Sequence, residues 1–258
     1  MVNPMSKAQK KNKEADWFGY TKTDADQKKK LVEKVFANVA DKYDVMNDLM
    51  SGGIHRIWKN RLIGLMQPRA SRRLLDVAGG TGDIAFRYRA KAGPDADITV
   101  CDINPAMLRV GQDRAVDRGY VSGIRWVEGN AEKLPFDDNS FHVYSISFGL
   151  RNVPKIDDAL EDAYRVLAPG GRFFCLEFSR VQNDKLRWLY DRYSFSVIPK
   201  IGELVASDRD SYQYLVESIR QFPPQDELKS RMESAGFEDV RVINLSGGIA
   251  AIHIGYKY

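Results

Sequence analysis

Apolar positions along the chain follow two rhythms, and the order in which they alternate predicts a fold. Residues 27–50 read as a helix, with Leu31, Val35, Val39 and Val45 or Met46 near helical spacing, and Ser51-Gly52-Gly53 breaks it. Residues 54–66, carrying Ile54, Trp58, Leu62 and Leu65, read as a second amphipathic helix that Pro68 ends. The rhythm then shortens to apolar runs of strand length at 73–78, Ile98–Asp102, Ile124–Glu128, Phe141–Ser147 and 172–177. Helical stretches at 82–91, 105–118 and 155–168 lie among them. This alternation predicts an α/β fold with a mostly parallel sheet covered by helices on both faces. The end of the chain differs. Runs at 240–244 and 248–256, parted by Leu245-Ser246-Gly247, are expected to pair as an antiparallel hairpin at the sheet edge, giving seven strands.

Between the fifth run and that hairpin, about 181–223, aromatics are dense: Trp188, Tyr190, Tyr193, Phe195, Tyr212, Tyr214 and Phe222. Two readings stand side by side, a helical crossover with an aromatic stripe and a lid over an apolar substrate.

Composition narrows the class. With 258 residues, 43% of them hydrophobic and 29% charged, the chain is long enough for one large core. Nothing approaches the ~18 consecutive apolar residues of a membrane span. No apolar stretch follows Met1-Val2-Asn3-Pro4, so a secretory signal is not expected and the cytoplasm is. The net charge of +4 resides in residues 1–30, where eight lysines face Glu14, Asp16, Asp24 and Asp26; residues 31–258 hold 31 basic and 31 acidic side chains. We expect a flexible basic tail over 1–30 and a single domain over 31–258. A neutral domain argues against a nucleic-acid face, whereas lysines in a tail attract anionic membrane by ~1 kcal/mol each near the surface. Cys101 and Cys175 fall inside strand-like runs and are expected as buried thiols. His55, His142 and His253 are scattered, so no metal is expected.

The candidate chemistry begins at the end of the first strand. Asp76-Val77-Ala78-Gly79-Gly80-Thr81-Gly82-Asp83 is a glycine-rich strand-to-helix turn, where open α/β sheets bind ligands. Asp102, with Ile103 after it, ends the second strand and offers a carboxylate to ribose hydroxyls. NAD and S-adenosylmethionine share adenosine, so these residues alone admit both. Three features favour S-adenosylmethionine. Asp76 suits an ammonium better than a pyrophosphate; Asn130-Ala131 after the third strand offers an amide and a small side chain to an adenine edge; and little chain remains for a dehydrogenase's second domain.

With these residues in view, the sequence resembles the ubiquinone/menaquinone biosynthesis C-methyltransferase family, from about Phe18 to Tyr256. The resemblance rests on Tyr43-Asp44-Val45-Met46-Asn47-Asp48-Leu49-Met50-Ser51 with His55 and Trp58, on Ser147-Phe148-Gly149-Leu150-Arg151-Asn152, and on Arg165-Val166-Leu167-Ala168-Pro169-Gly170-Gly171 running on to Glu177-Phe178-Ser179. Ser211-Tyr212-Gln213-Tyr214 with Phe222-Pro223 is similar to the family's lid region. The chain departs from the family's pattern at Ala168, where Lys is usual, and at Ile254, where Arg often follows the His.

The resemblance implies a Rossmann-like class I methyltransferase fold. It also implies S-adenosylmethionine as methyl donor, S-adenosylhomocysteine as product, and a polyprenylated benzoquinol or demethylmenaquinol as acceptor. Cofactor contacts are implied at Thr81, Asp102, Asn130, Ala131 and Ser147, to which the loop reading adds Asp76, Gly79, Gly80, Gly82 and Ile103. Arg151 and Asn152 are the catalytic candidates. Arginine stays protonated, so Arg151 is expected to stabilise a phenolate while Asn152 orients the ring. Tyr43 is expected to hydrogen-bond a ring oxygen; water or His55 could take the ring proton, with His55 read rather as a capping histidine. An NAD(P)-dependent oxidoreductase and a non-catalytic subunit of a quinone-synthesising complex are the alternatives. Peripheral membrane contact and a homodimer are left open.

Overall fold

Leu74 and Leu75 are neighbours on strand β1 (Leu74–Val77), both fully buried, and they belong to different halves of the core. Successive strand residues point to opposite faces, so a strand that is apolar throughout must be covered twice. The strands that follow are β2 (Ile98–Asp102), β3 (Ile124–Glu128), β4 (Phe141–Ser147), β5 (Leu167–Phe178), β6 (Glu238–Leu245) and β7 (Ala250–Tyr256). They form one seven-stranded sheet in the order β3-β2-β1-β4-β5-β7-β6. The pairs from β3 to β5 are parallel, and β7 runs antiparallel to both β5 and β6. The computed structural model describes residues 16–18, 21–23, 27, 48, 51–181, 192 and 209–258.

Six α-helices, α1 (His55–Met66), α2 (Asp83–Ala92), α3 (Pro105–Asp117), α4 (Ile156–Val166), α5 (Arg209–Gln221) and α6 (Gln225–Ser234), and two 3-10 turns, Leu150–Asn152 and Ser246–Gly248, complete the described fold. One core half joins Trp58, Leu62 and Met66 of α1 and Tyr88 of α2 to Leu74, Val100, Phe174 and Ile252. The other joins Leu160 and Val166 of α4 and Leu228 and Met232 of α6 to Leu75, Tyr144 and Phe173.

The expected α/β class and all seven strands are present. Three details differ from the sequence reading. Strand β5 starts at Leu167, five residues early, because Gly170 N–H donates to the Lys257 carbonyl and Lys257 N–H to the Gly171 carbonyl, holding the Pro-Gly-Gly excursion against the sheet. The terminal hairpin is not wholly peripheral: β7 is inserted beside β5, and only β6 forms the edge. A short antiparallel pair, Asp16–Phe18 with Thr21–Thr23, lies inside the segment expected as a tail. The rest of that tail, the helix expected over 27–50 apart from isolated positions, and most of the aromatic stretch over 181–223 lie outside the described residues. Among the described residues no helix is long and apolar enough to cross a membrane.

Candidate cofactor and active site

The strand order reverses between β1 and β4, and such a reversal opens a crevice beyond the strands' carboxyl ends. A cleft of about 1090 Å³, its open mouth included, lies there. Nine of the ten residues expected to hold the cofactor line it: Asp76, Gly79, Gly80, Thr81, Asp102, Ile103, Asn130, Ala131 and Ser147.

Asp102 anchors the floor. Its Oδ2 accepts from Gly80 N–H at 2.8 Å and its Oδ1 from Asn104 N–H at 2.9 Å. Asn104 in turn caps α3, its Oδ1 accepting from Ala106 N–H and Met107 N–H, with Pro105 opening the helix. Burial pushes the Asp102 carboxyl above its ordinary value, against the pull of those backbone donors. Ile103 N–H also points at this carboxylate, which still has acceptor capacity for a ligand hydroxyl.

Asp76 is the more exceptional group. Only 1% of it is exposed; its Oδ1 accepts from Ser145 Oγ–H at 2.7 Å, and its Oδ2 has no partner among the described residues. Burial, helped by the nearby Asp83 and Asp102 carboxylates and opposed by Ser145 and Lys59, raises its pKa to about 7. Ser147 Oγ, at the tip of β4, is likewise buried on the cleft with no partner among the described residues. Buried polar atoms left unpaired are costly, and two such atoms facing one cleft fit a ligand carrying an ammonium and hydroxyl groups.

Other expected residues take narrower parts. Thr81 Oγ1 accepts from Arg114 at 2.9 Å, which fixes the loop against α3. The Asn130 amide turns onto Glu132, donating to Glu132 Oε2 at 3.2 Å and accepting from Glu132 N–H at 3.0 Å. Gly82 does not line the cleft. It stands before α2 with φ 83°, and a Cβ there would lie 2.6 Å from the Trp126 ring, so the residue is needed for close packing.

Arg151 has a different setting from the other candidates. Its side chain is fully buried beside the cleft and is not among the residues lining it. Its Nη1 donates to Glu177 Oε2 at 3.0 Å and also to the Phe148 carbonyl, while Arg151 N–H donates to Glu177 Oε1 at 3.2 Å. The guanidinium is drawn inward because Glu177, at the end of β5, is 1% exposed and requires a cation. Asn152 does line the cleft, and its Oδ1 accepts from Tyr214 Oη–H of α5 at 3.0 Å. His55 is buried away from the cleft, its Nε2 2.8 Å from Asp48 Oδ1. Tyr43 lies outside the described residues.

The sequence reading passed over Lys59, Asn104, Met107 and Phe148, all of which line the cleft. Asn104 had a legible signal, an Asx residue followed by proline at a helix start. Lys59 had one too. It shares the buried stripe His55, Lys59, Leu62, Met66 of α1, where a lysine is out of place without a partner.

Several solved structures of similar architecture are methyltransferases. A methyltransferase of Thermotoga maritima superposes with a TM-score of 0.61 at 19% identity, covering 87% of this chain and 99% of its own. One from Aquifex aeolicus gives 0.52 at 16% identity, covering 90% and 97%. Phosphoethanolamine N-methyltransferase 2 of Haemonchus contortus, solved with S-adenosyl-L-methionine, gives 0.56 at 13% identity, covering 77% of this chain and 52% of its own. That fold is shared with S-adenosylmethionine-dependent methyltransferases. More narrowly, the ubiE/COQ5 methyltransferase family matches residues 22–257, and this chain belongs to that family. The ubiquinone/menaquinone biosynthesis C-methyltransferase of Dinoroseobacter shibae is 55% identical over 240 residues, 93% of this chain and 96% of that protein. The protein of the same name from Brucella abortus is 53% identical over 242 residues, 93% of this chain and 90% of that one. Neither alternative, oxidoreductase or non-catalytic subunit, finds support among these relatives.

Proposed function

We propose that this enzyme methylates a ring carbon of a lipid-tailed quinol, a polyprenylated benzoquinol or a demethylmenaquinol, on the route to ubiquinone or menaquinone. The observation that carries the reading is identity above half, over nearly the whole chain, with relatives named for that reaction. When bound, S-adenosylmethionine supplies a methyl group on a sulfonium sulfur.

In this reading Asp102, Asn130 and Ala131 receive the adenosine, Gly79, Gly80 and Thr81 allow its close approach, and Asp76 with Ser147 faces the methionine end. Asn152, held by Tyr214, turns its amide N–H groups toward a ring oxygen. Donation to that oxygen favours the phenolate form and so makes the adjacent carbon nucleophilic. Arg151 acts from behind, holding the turn that carries Asn152. As the carbon–methyl bond forms, opposite charges cancel, and a dry apolar cleft helps because neither charge then has to shed water. The methyl–sulfur bond breaks in the same displacement, S-adenosylhomocysteine would leave as the neutral thioether, and the quinol hydroxyl proton and then the ring proton pass to water as aromaticity is restored. Tyr43 remains a candidate for a second ring contact. A lipid-borne substrate also brings the enzyme to a membrane surface, where lysines of residues 1–30 add ~1 kcal/mol each if the surface is anionic.

The test is an anaerobic incubation with methyl-labelled S-adenosylmethionine, a reductant, and two acceptors in detergent, a demethylated benzoquinol and a demethylnaphthoquinol. Label in one or both lipids is expected. Binding of the methyl donor with label in neither would sink the reading.

A further inference from the structure

Among the described residues lining the cleft there are three carboxylates, Asp76, Asp83 and Asp102, and one cationic side chain, Lys59. The methionine end of S-adenosylmethionine is a zwitterion. Its ammonium has an evident partner in Asp76, but its carboxylate would enter a cleft already carrying three acidic groups. A cation is needed at that end, and the lining offers one.

Lys59 is placed for that task. Its side chain is 4% exposed, its Nζ donates to Asp83 Oδ2 at 2.8 Å, and the same Nζ lies 5.9 Å from the centroid of Phe148. A lysine ammonium carries three donors, and among the described residues one is used. Asp83 does not depend on it alone, because Asp83 Oδ1 also accepts from Arg87 Nε at 2.7 Å. Lys59 therefore does more than neutralise Asp83. It brings a buried ammonium from α1 to the mouth of the glycine turn, and Asp83 holds its position.

We propose that Lys59 is a cofactor-binding residue that receives the methionine carboxylate of S-adenosylmethionine, opposite Asp76, which receives the ammonium. The proposal rests on the reading of Asp76 given above. It assigns to α1, outside the sheet, the task of checking that the bound nucleoside carries a complete amino acid.

The test compares two ligands by calorimetry: S-adenosylhomocysteine, and its decarboxylated counterpart with a 3-aminopropyl group on the same sulfur. Wild-type protein is expected to prefer the carboxylate-bearing ligand by ~10–100-fold, the span of a charge-assisted hydrogen bond. In Lys59→Met the preference should collapse to within about threefold, because affinity for the carboxylate-bearing ligand falls much further than affinity for the decarboxylated one. Lys59→Arg should keep most of the preference. A wild-type ratio near one would overturn the proposal, and that measurement needs no variant to fold. So would a Lys59→Met protein that keeps the full ratio, or one that loses both ligands equally, which would make Lys59 only a link between α1 and α2. Asp76→Asn separates the underlying reading, since both ligands keep the ammonium and both should weaken. No acceptor lipid is present, so the outcome is independent of which quinol is methylated.

Discussion

Tyr214 of α5 donates its hydroxyl hydrogen to the Asn152 amide oxygen at 3.0 Å, linking the helix beyond the sheet to a residue that lines the cleft from the turn after β4. Burial holds the Tyr214 phenol well above its ordinary value, so it remains a donor throughout the working pH range. With the oxygen engaged, the amide N–H groups are what Asn152 has left to offer a ligand. This bond gives the helical stretch before α6 a direct part in the site, whether or not any of it moves.

Tyr214→Phe removes one hydrogen bond, so kcat should fall ~2–10-fold with cofactor affinity unchanged. If Tyr214 acts through Asn152, the double variant with Asn152→Ala should be no slower than Asn152→Ala alone. Additive losses in steady-state rates would refute the coupling.

The Arg151–Glu177 pair yields a sharper contrast. Both side chains are buried, and stranding either charge should cost ~3–5 kcal/mol. Arg151→Ala is therefore expected to lower the unfolding midpoint strongly, whereas Arg151→Met with Glu177→Leu should recover much of the loss. A positioning role predicts that the recovered double variant keeps measurable turnover. A folded double variant with none would return Arg151 to direct contact with the ring.

Asp76 makes cofactor binding pH-dependent. With its pKa raised to about 7, the apoprotein holds this carboxyl half protonated near neutrality, and an incoming ammonium requires it ionised. Affinity for S-adenosylhomocysteine should rise ~tenfold between pH 6 and 8 and level off above that. The sign for stability is opposite. Because the folded value lies above the unfolded one near 3.8, Asp76 favours the folded apoprotein most at acid pH, and that contribution is lost as pH rises to about 7. Asp76→Asn should flatten the affinity profile in calorimetry; an unchanged slope would assign the proton to another group.

Gly149 lies where the β1 and β4 loops meet, and a Cβ there would collide with Ala78 Cβ. Gly149→Ala should cost ~1–3 kcal/mol and weaken cofactor binding by prising the two loops apart. Adding Ala78→Gly should restore part of both, read by thermal melting with and without S-adenosylhomocysteine.

How much of this was legible beforehand depends on the range of the interaction. Strands β2, β3 and β4 carry the bounds the sequence predicted, because a doubly covered strand is an uninterrupted apolar run. The glycine turn, Asp76 and Asp102 were legible because backbone geometry and chemistry coincide within one strand-to-helix connection. Arg151 was assigned correctly to the turn after β4 but not to its partner, since Glu177 is 26 residues away on β5.

Local periodicity and turn chemistry determined the α/β class, the number of strands, the place of the cofactor turn and the family resemblance. Each depends on residues close along the chain, where sterics and hydrogen-bonding habits act without knowledge of the whole. Tertiary structure decided which charges meet. It inserted β7 beside β5, drew Arg151 inward to Glu177, brought Tyr214 to Asn152, and carried Lys59 from α1 to the mouth of the cleft. Those outcomes depend on how separate elements pack, because a buried charge takes whatever partner the packed core places within reach.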